Sequence, residues 1–179
     1  MGEQSRMERI RSILGEPRFD GGDDESSWLD FERSVGALPP EDFRDFVRAY
    51  GPGIVNTTLY IRHPVLGNPT LIKSTLDKLE FYLEYFPSVE LDYRVGISPG
   101  QLLPFAHMMD GVDLFFLIGD RPESDWRVCA YEPNDNVVVE FEWGFSEWFV
   151  RYLEDDPLCA WLSGAGTQDP KTFSDAWAY

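Results

Sequence analysis

LLPFAHMMDGVDLFFLIG, residues 102–119, is the stretch that decides the fold. Leu102 to Met108 is a run of apolar character, and Val112 to Ile118 is a second one with Phe115 and Phe116 at its centre. Between them stands Asp110-Gly111, a dipeptide whose backbone takes the positive φ angles that a tight reversal needs. Two apolar runs joined by such a turn predict a β-hairpin, and runs this apolar belong inside a sheet, not on its rim.

Downstream, the same pattern continues. Trp126–Tyr131 and Val137–Trp143 read as strands joined by the hairpin loop Glu132-Pro-Asn-Asp-Asn136. In the second of these, Val137, Val139 and Phe141 fall on one side, and Val138, Glu140 and Glu142 on the other, so the latter face is expected to be partly wet. Gly144 breaks the strand. Ser146–Leu153 then reads as a helix with Phe145, Trp148, Phe149 and Tyr152 turned inward. A turn around Leu158–Leu162 and a small-residue linker, 163–168, follow.

Upstream, the pattern is helical. Arg6 to Leu14 predicts a short helix with Met7, Ile10 and Leu14 on one side, and 20–27 reads as a loop. Ser26 or Ser27 is placed to cap a helix through Val35 with Trp28, Phe31 and Val35 on one face. The best-marked helix begins at Pro40. Glu41 and Asp42 sit in its first turn, Phe43, Phe46, Val47 and Tyr50 form one stripe, and Gly51 ends it. Ile54–Ile61 reads as a single strand. Leu71–Phe86 predicts a helix facing the core through Ile72, Leu76, Leu79, Leu83 and Phe86, stopped by Pro87. The expected organisation is a loosely held segment, 1–25, one domain over 26–155, and an extension, 156–179.

The chain has 179 residues, long enough for a sizeable core, with 13 Phe, 8 Tyr and 6 Trp to fill it. Its 15 basic and 32 acidic residues leave a net charge of −17. Residues 101–179 hold 15 of the acids and only 4 of the bases. Such a field repels nucleic acid and anionic membrane and steers basic partners inward; it also keeps a protein soluble. Cys129 and Cys159 stand in no metal-ligand or CxxC spacing, and Cys129 reads as a buried free thiol. The start, MGEQSRMERIRSIL, has no continuous apolar stretch of the signal-peptide kind, and no run approaches a membrane span, so the expected location is the cytoplasm.

Residues that carry chemistry are sparse. There are two histidines. His63 precedes a proline, and His107 precedes Asp110 by three residues without a third ligand at a metal-binding spacing. GxSxG, HExxH and DxDxDG are absent. Gly51-Pro52-Gly53 is too short for a phosphate cradle, and its proline removes a donor. Glu140 and Glu142 share a strand face about 7 Å apart, a spacing open to acid–base work or to a plain anionic surface. No catalytic residue, metal or cofactor is expected.

Several pieces in order resemble one family. Leu38-Pro39-Pro40-Glu41-Asp42-Phe43 leads to Tyr50-Gly51-Pro52-Gly53, then to an apolar strand ending at Ile61-Arg62-His63-Pro64. Leu103-Pro104-Phe105-Ala106-His107, Asp110 to Phe116, Asp125-Trp126-Arg127-Val128 and Gly144 to Phe149 follow. The combination, over about residues 28–154, is similar to the SUKH superfamily, which includes bacterial toxin-immunity proteins and a fungal cell-wall synthesis regulator. Several SUKH-like proteins have the turn as Asp-Asn-Gly-Asp, where this chain has Met109-Asp110-Gly111-Val112-Asp113.

The expected fold is α+β: one domain with a mostly antiparallel twisted sheet of about five or six strands, with helices on one face. The resemblance implies a non-catalytic protein that binds a toxin, of nuclease type, and blocks its active site. The partner expected is a basic protein toxin domain, with no nucleic acid or membrane, and the chain a monomer or weak homodimer. The binding residues expected are Asp120, Glu123, Asp125, Glu132, Asp135, Glu140 and Glu142. Two other readings stand beside it: a regulatory scaffold recruiting a protein through the Trp161–Trp177 tail, and a ligand pocket near His107 and Asp110.

Overall fold

The computed structural model describes residues 3–20, 25–120, 126–162 and 171–174, and side chains from Ser5 onward within them. Five helices, α1 (Glu3–Leu14), α2 (Glu25–Val35), α3 (Glu41–Tyr50), α4 (Leu71–Ser88) and α5 (Phe145–Leu153), accompany seven strands. The strands are β1 (Gly53–Val55), β2 (Leu59–Ile61), β3 (Leu102–Met108), β4 (Asp113–Leu117), β5 (Arg127–Glu132), β6 (Val137–Glu140) and β7 (Phe173–Ser174). They form one sheet in the order β6-β5-β4-β3-β2-β1-β7, every named pair antiparallel. The α+β architecture is the expected one, with seven strands in place of five or six.

The opening hairpin forms as read. Gly111 has φ +96°, its N–H donates to the Met108 carbonyl at 3.1 Å, and β3 pairs β4 from Leu102 opposite Leu117 to His107 opposite Asp113. Pro104 lies inside central β3, where it cannot donate to the ladder. The register accordingly shifts between Pro104 and Ala106, and the Pro104 carbonyl accepts from the Thr75 hydroxyl of α4 at 3.1 Å.

Alternation along β4 and β5 divides the interior in two. Leu114, Phe116, Val128 and Ala130 face a large core shared with α1, α2, α3 and α5. Phe43 is at its centre, its ring edge-on to Phe105, Phe116 and Phe145 at centroid distances of 5.3, 5.5 and 5.0 Å. Fully burying one such ring contributes about 2–3 kcal/mol. Asp42 ties two helices of this layer together. One carboxylate oxygen accepts from the Phe43 N–H, and the other accepts from Ser146 N–H at 2.7 Å. It thus caps α5, whose own cap position is Gly144 and has no side chain to offer.

Phe115, Cys129, Tyr131 and Val138 face a second, smaller core that α4 covers with Tyr82 and Phe86. Helices therefore back both faces. The side of β6 expected to be wet carries Val138 buried beneath α4 and Glu140 engaged by neighbours, because α4 and the segment after it lie across it.

Four local expectations are corrected. The run 54–61 is a hairpin, β1 and β2, with Asn56 and Thr57 at φ +48° and +63°. Helix α2 begins at Glu25, so Ser27 lies within it, buried, instead of capping it. In α4 the buried residues are Leu71, Thr75, Tyr82 and Phe86, while Leu76 and Leu83 are 40% and 59% exposed. Pro87 does not stop that helix but lies within its last turn, which runs on to Ser88.

Candidate functional site

One end of the sheet gathers three turns and two helix ends. Leu59 opposes Met108, and Asp113 opposes Tyr131, so the β1–β2, β3–β4 and β5–β6 turns lie together. Pro133 of the last turn approaches Gly111 of the middle one, and the Met109 N–H donates to the Thr58 carbonyl at 2.9 Å. The C-terminus of α4 joins them where the Asn136 amide donates to the Val89 carbonyl. The C-terminus of α5 joins them where the Tyr152 hydroxyl meets that of Thr58 at 3.3 Å.

This end is electronegative for two reasons. Two helices point the negative ends of their dipoles toward it. Its carboxylates, Glu90, Asp110, Glu132, Asp135, Glu154 and Asp155, add formal charge at or near the surface. Acids after a helix C-terminus oppose the dipole and add no stability there. Some are partly offset: Asp155 meets Lys171 at 2.6 Å, and Glu154 pairs with Arg9. Met109 and Val137, both exposed, give the same rim an apolar component.

The expected binding residues do not form one patch. Glu132 and Asp135 are in this turn cluster, where Glu132 accepts from the backbone and side-chain amides of Asn134. Asp120 and Glu142 lie toward the opposite end, about 17 Å away along β5. Glu140 is held in place: it accepts from the Tyr93 hydroxyl at 2.7 Å and pairs with Arg127 at 3.4 Å. Burial, then the hydrogen bond to that carboxylate, pushes the Tyr93 phenol upward. Glu123 and Asp125 lie outside the described residues, as do Trp177 and the 163–168 linker. Trp161 stacks with Phe141, their centroids 6.5 Å apart.

A second constellation runs across the sheet beneath α4. Tyr60, His107, Asp113 and Tyr131 occupy successive cross-strand positions on β2, β3, β4 and β5. Asp113 is buried. It accepts from Lys78 at 2.6 and 2.7 Å through its two oxygens and from the Tyr82 hydroxyl, both on α4. Tyr131 donates to Asn136 at 2.7 Å. Burial first, then the Asp113 charge, pushes the Tyr82 phenol far up, so it stays a donor. His107 stacks flat on Tyr60 at 4.6 Å, and burial, then the Arg62 and Lys78 charges, lower its pKa to about 4. The imidazole is thus neutral near pH 7.

This row fixes how α4 sits on the sheet, because each partner on the helix has one acceptor on the strand. His107 faces Asp113 across the strands, whereas Asp110 spends a carboxylate oxygen on the Val112 N–H of its own turn. No group of three or more His, Cys, Asp or Glu able to hold a metal occurs among the described residues. Sequence reasoning passed over Asp113, Lys78 and Tyr82. The available signal was an acid at an inward position of an otherwise apolar strand, which must find a partner. Both cysteines are buried, and burial pushes each thiol up to about 12, far from the reactive thiolate range.

No helix of the described residues is long and apolar enough to cross a membrane. No protein-family model, curated protein or solved structure matches the chain.

Proposed function

We propose that the chain is a non-catalytic binding protein that neutralises a basic toxin domain, of nuclease type, by covering its substrate groove with an acidic surface. The observation that carries this reading is the turn end of the sheet, where two helix C-termini and Glu90, Asp110, Glu132, Asp135 and Asp155 converge. A groove built for phosphate carries a positive potential, and a rim of carboxylates is its electrostatic complement. The similarity to the SUKH superfamily over residues 28–154 supports the same reading, and a cytoplasmic location fits a partner intercepted inside the cell.

A second reading, a protein-interaction scaffold, draws on a different observation. The flank of α4 bearing Leu76 and Leu83 is exposed, as are Leu29 of α2 and Ile97. Isolated apolar residues are ordinary on a surface, but Leu76 and Leu83, two turns apart on one helix, would suit a nonpolar contact.

Co-purification from the native host at low and high salt separates the two. A single salt-sensitive partner with a basic domain supports neutralisation, and the Asp110→Asn, Glu132→Gln, Asp135→Asn variant should then associate about tenfold more slowly. Capture of a partner whose binding resists salt, and which Leu76→Ser with Leu83→Ser abolishes, would replace it with the scaffold reading.

A further inference from the structure

In a chain of net charge −17, α1 is charged the other way. Its three arginines outnumber its two glutamates, whereas α2, α3, α4 and α5 are each neutral or acidic. It lies on α5, where Arg6 pairs with Glu147 and Arg9 with Glu154. Ile10 is fully buried, and Met7, Ile13 and Leu14 are partly buried against the same core.

A half-open cleft of about 460 Å³ borders this contact, lined by Arg6, Glu147, Val150, Arg151, Glu154 and Asp156, with Arg151 paired to Glu147 and Asp156. The Arg6 Nε is buried without a hydrogen-bond partner among the described residues. The Arg9–Glu154 pair is largely in water, where such pairs contribute little and weaken with salt. Of the described α1 side chains only Ile10 is fully buried, so apart from it the helix is held by half-buried apolar groups, two partly wetted ion pairs and the Gly15 carbonyl, which accepts from Tyr50 at 2.8 Å.

We infer that this face of α5 is a docking groove for a basic amphipathic helix, and that α1 occupies it as an internal stand-in for the partner. The occupant has arginine or lysine at positions i and i+3 and a branched aliphatic residue at i+4, the spacing of Arg6, Arg9 and Ile10. The inference rests on the proposed binding of a basic domain and adds which element of that domain is grasped. Glu154 and Asp155 connect the groove to the acidic turn end, so one partner spans both.

The test uses the full chain and a labelled peptide of its own residues 5–15, SRMERIRSILG, titrated at low salt. Hydrogen exchange of the wild type should show α1 amides opening well before the sheet, and sooner as salt is raised. The Arg6→Glu, Arg9→Glu variant should bind the peptide at least about tenfold more tightly than the wild type, because its groove is open for more of the time. Adding Glu147→Lys and Glu154→Lys should remove that binding. If the double variant does not fold, Arg9→Ala alone gives a smaller gain in the same direction. Exchange of α1 only through global unfolding, or peptide binding no tighter once α1 is released, overturns the inference. Because the probe is the chain's own helix, either result stands apart from whether a basic partner is recovered from the host.

Discussion

Acidification should weaken this protein through His107 before its carboxylates are widely protonated. The ring stacks on Tyr60, its Nδ1 is buried without a hydrogen-bond partner among the described residues, and Arg62 and Lys78 bear on it while Asp113 opposes them. Its pKa falls from 6.5 to about 4 on folding. The unfolded chain therefore takes up this proton first as pH drops. The stability is fully present above pH 6.5, the unfolded value, and is lost as pH falls toward about 4. The unscreened ceiling for such a shift is about 3 kcal/mol, and partial exposure of the ring reduces it to about 1–2 kcal/mol. His107→Phe retains a flat ring against Tyr60 and cannot titrate. Urea unfolding of both proteins between pH 7.5 and 4.5 gives the difference directly, since the carboxylates are common to both and cancel. The wild type should lose about 1–2 kcal/mol relative to His107→Phe across that window. Parallel stability curves, or an imidazole that titrates above pH 6 by NMR in the folded protein, would refute the reasoning.

Asp113→Ala leaves the Lys78 ammonium and the Tyr82 hydroxyl without their shared acceptor and should cost about 3 kcal/mol in urea unfolding; Lys78→Met in that background should restore part of it. Gly53→Ala should displace β7, because the added Cβ would stand 2.4 Å from the Phe173 ring and 2.7 Å from the Ser174 carbonyl. Its signature is loss of exchange protection at residues 172–174, with a cost of about 1–3 kcal/mol. Asp42→Ala removes the acceptor that caps α5 from a different helix and should lower stability by about 1 kcal/mol, read as a drop in Tm; an unchanged Tm would mean that water serves the Ser146 N–H equally well.

The elements legible in the sequence are those whose signals are local. The Asp110-Gly111 reversal, the Phe43–Tyr50 stripe between Pro40 and Gly51, and the aromatic face of α5 each declare themselves within a dozen residues. The β1–β2 hairpin does not, because its turn has no glycine. Asn56 and Thr57 take positive φ where a partner 116 residues away holds them: Asn56 N–H donates to the Thr172 carbonyl at 2.9 Å, and Thr172 N–H donates to the Asn56 side chain at 3.1 Å. The α4 stripe misled for a related reason. Leucines at 76 and 83 satisfy helical periodicity, but the face that meets the sheet is set by Asp113, which pulls Lys78 and Tyr82 inward and rotates those leucines out. The acidic set was legible as composition only. Which end of the sheet each carboxylate reaches depends on pairing register, which residue spacing does not encode.

Coverage of both sheet faces decides where this molecule can meet another. Helices α1, α2, α3 and α5 bury one face, and α4 buries the other, so neither presents strands to a partner. What remains is the rim and the outer sides of the helices. Of the rim, the turn end concentrates carboxylates and two helix C-termini, whereas the other end has Asp120 and Glu142 with Glu140 already engaged by Tyr93 and Arg127. Among the described residues the carboxylates are thus concentrated at the turn end, and the proposed basic partner would be steered along the strands toward it. Helix α5 runs into that end, with Glu147 in its first turn and Glu154 just past its last residue, both paired with arginines of α1. In the proposed binding, a long-range field at the turns would set the rate of encounter, and the groove on α5, with α1 displaced, would set how long the partner stays.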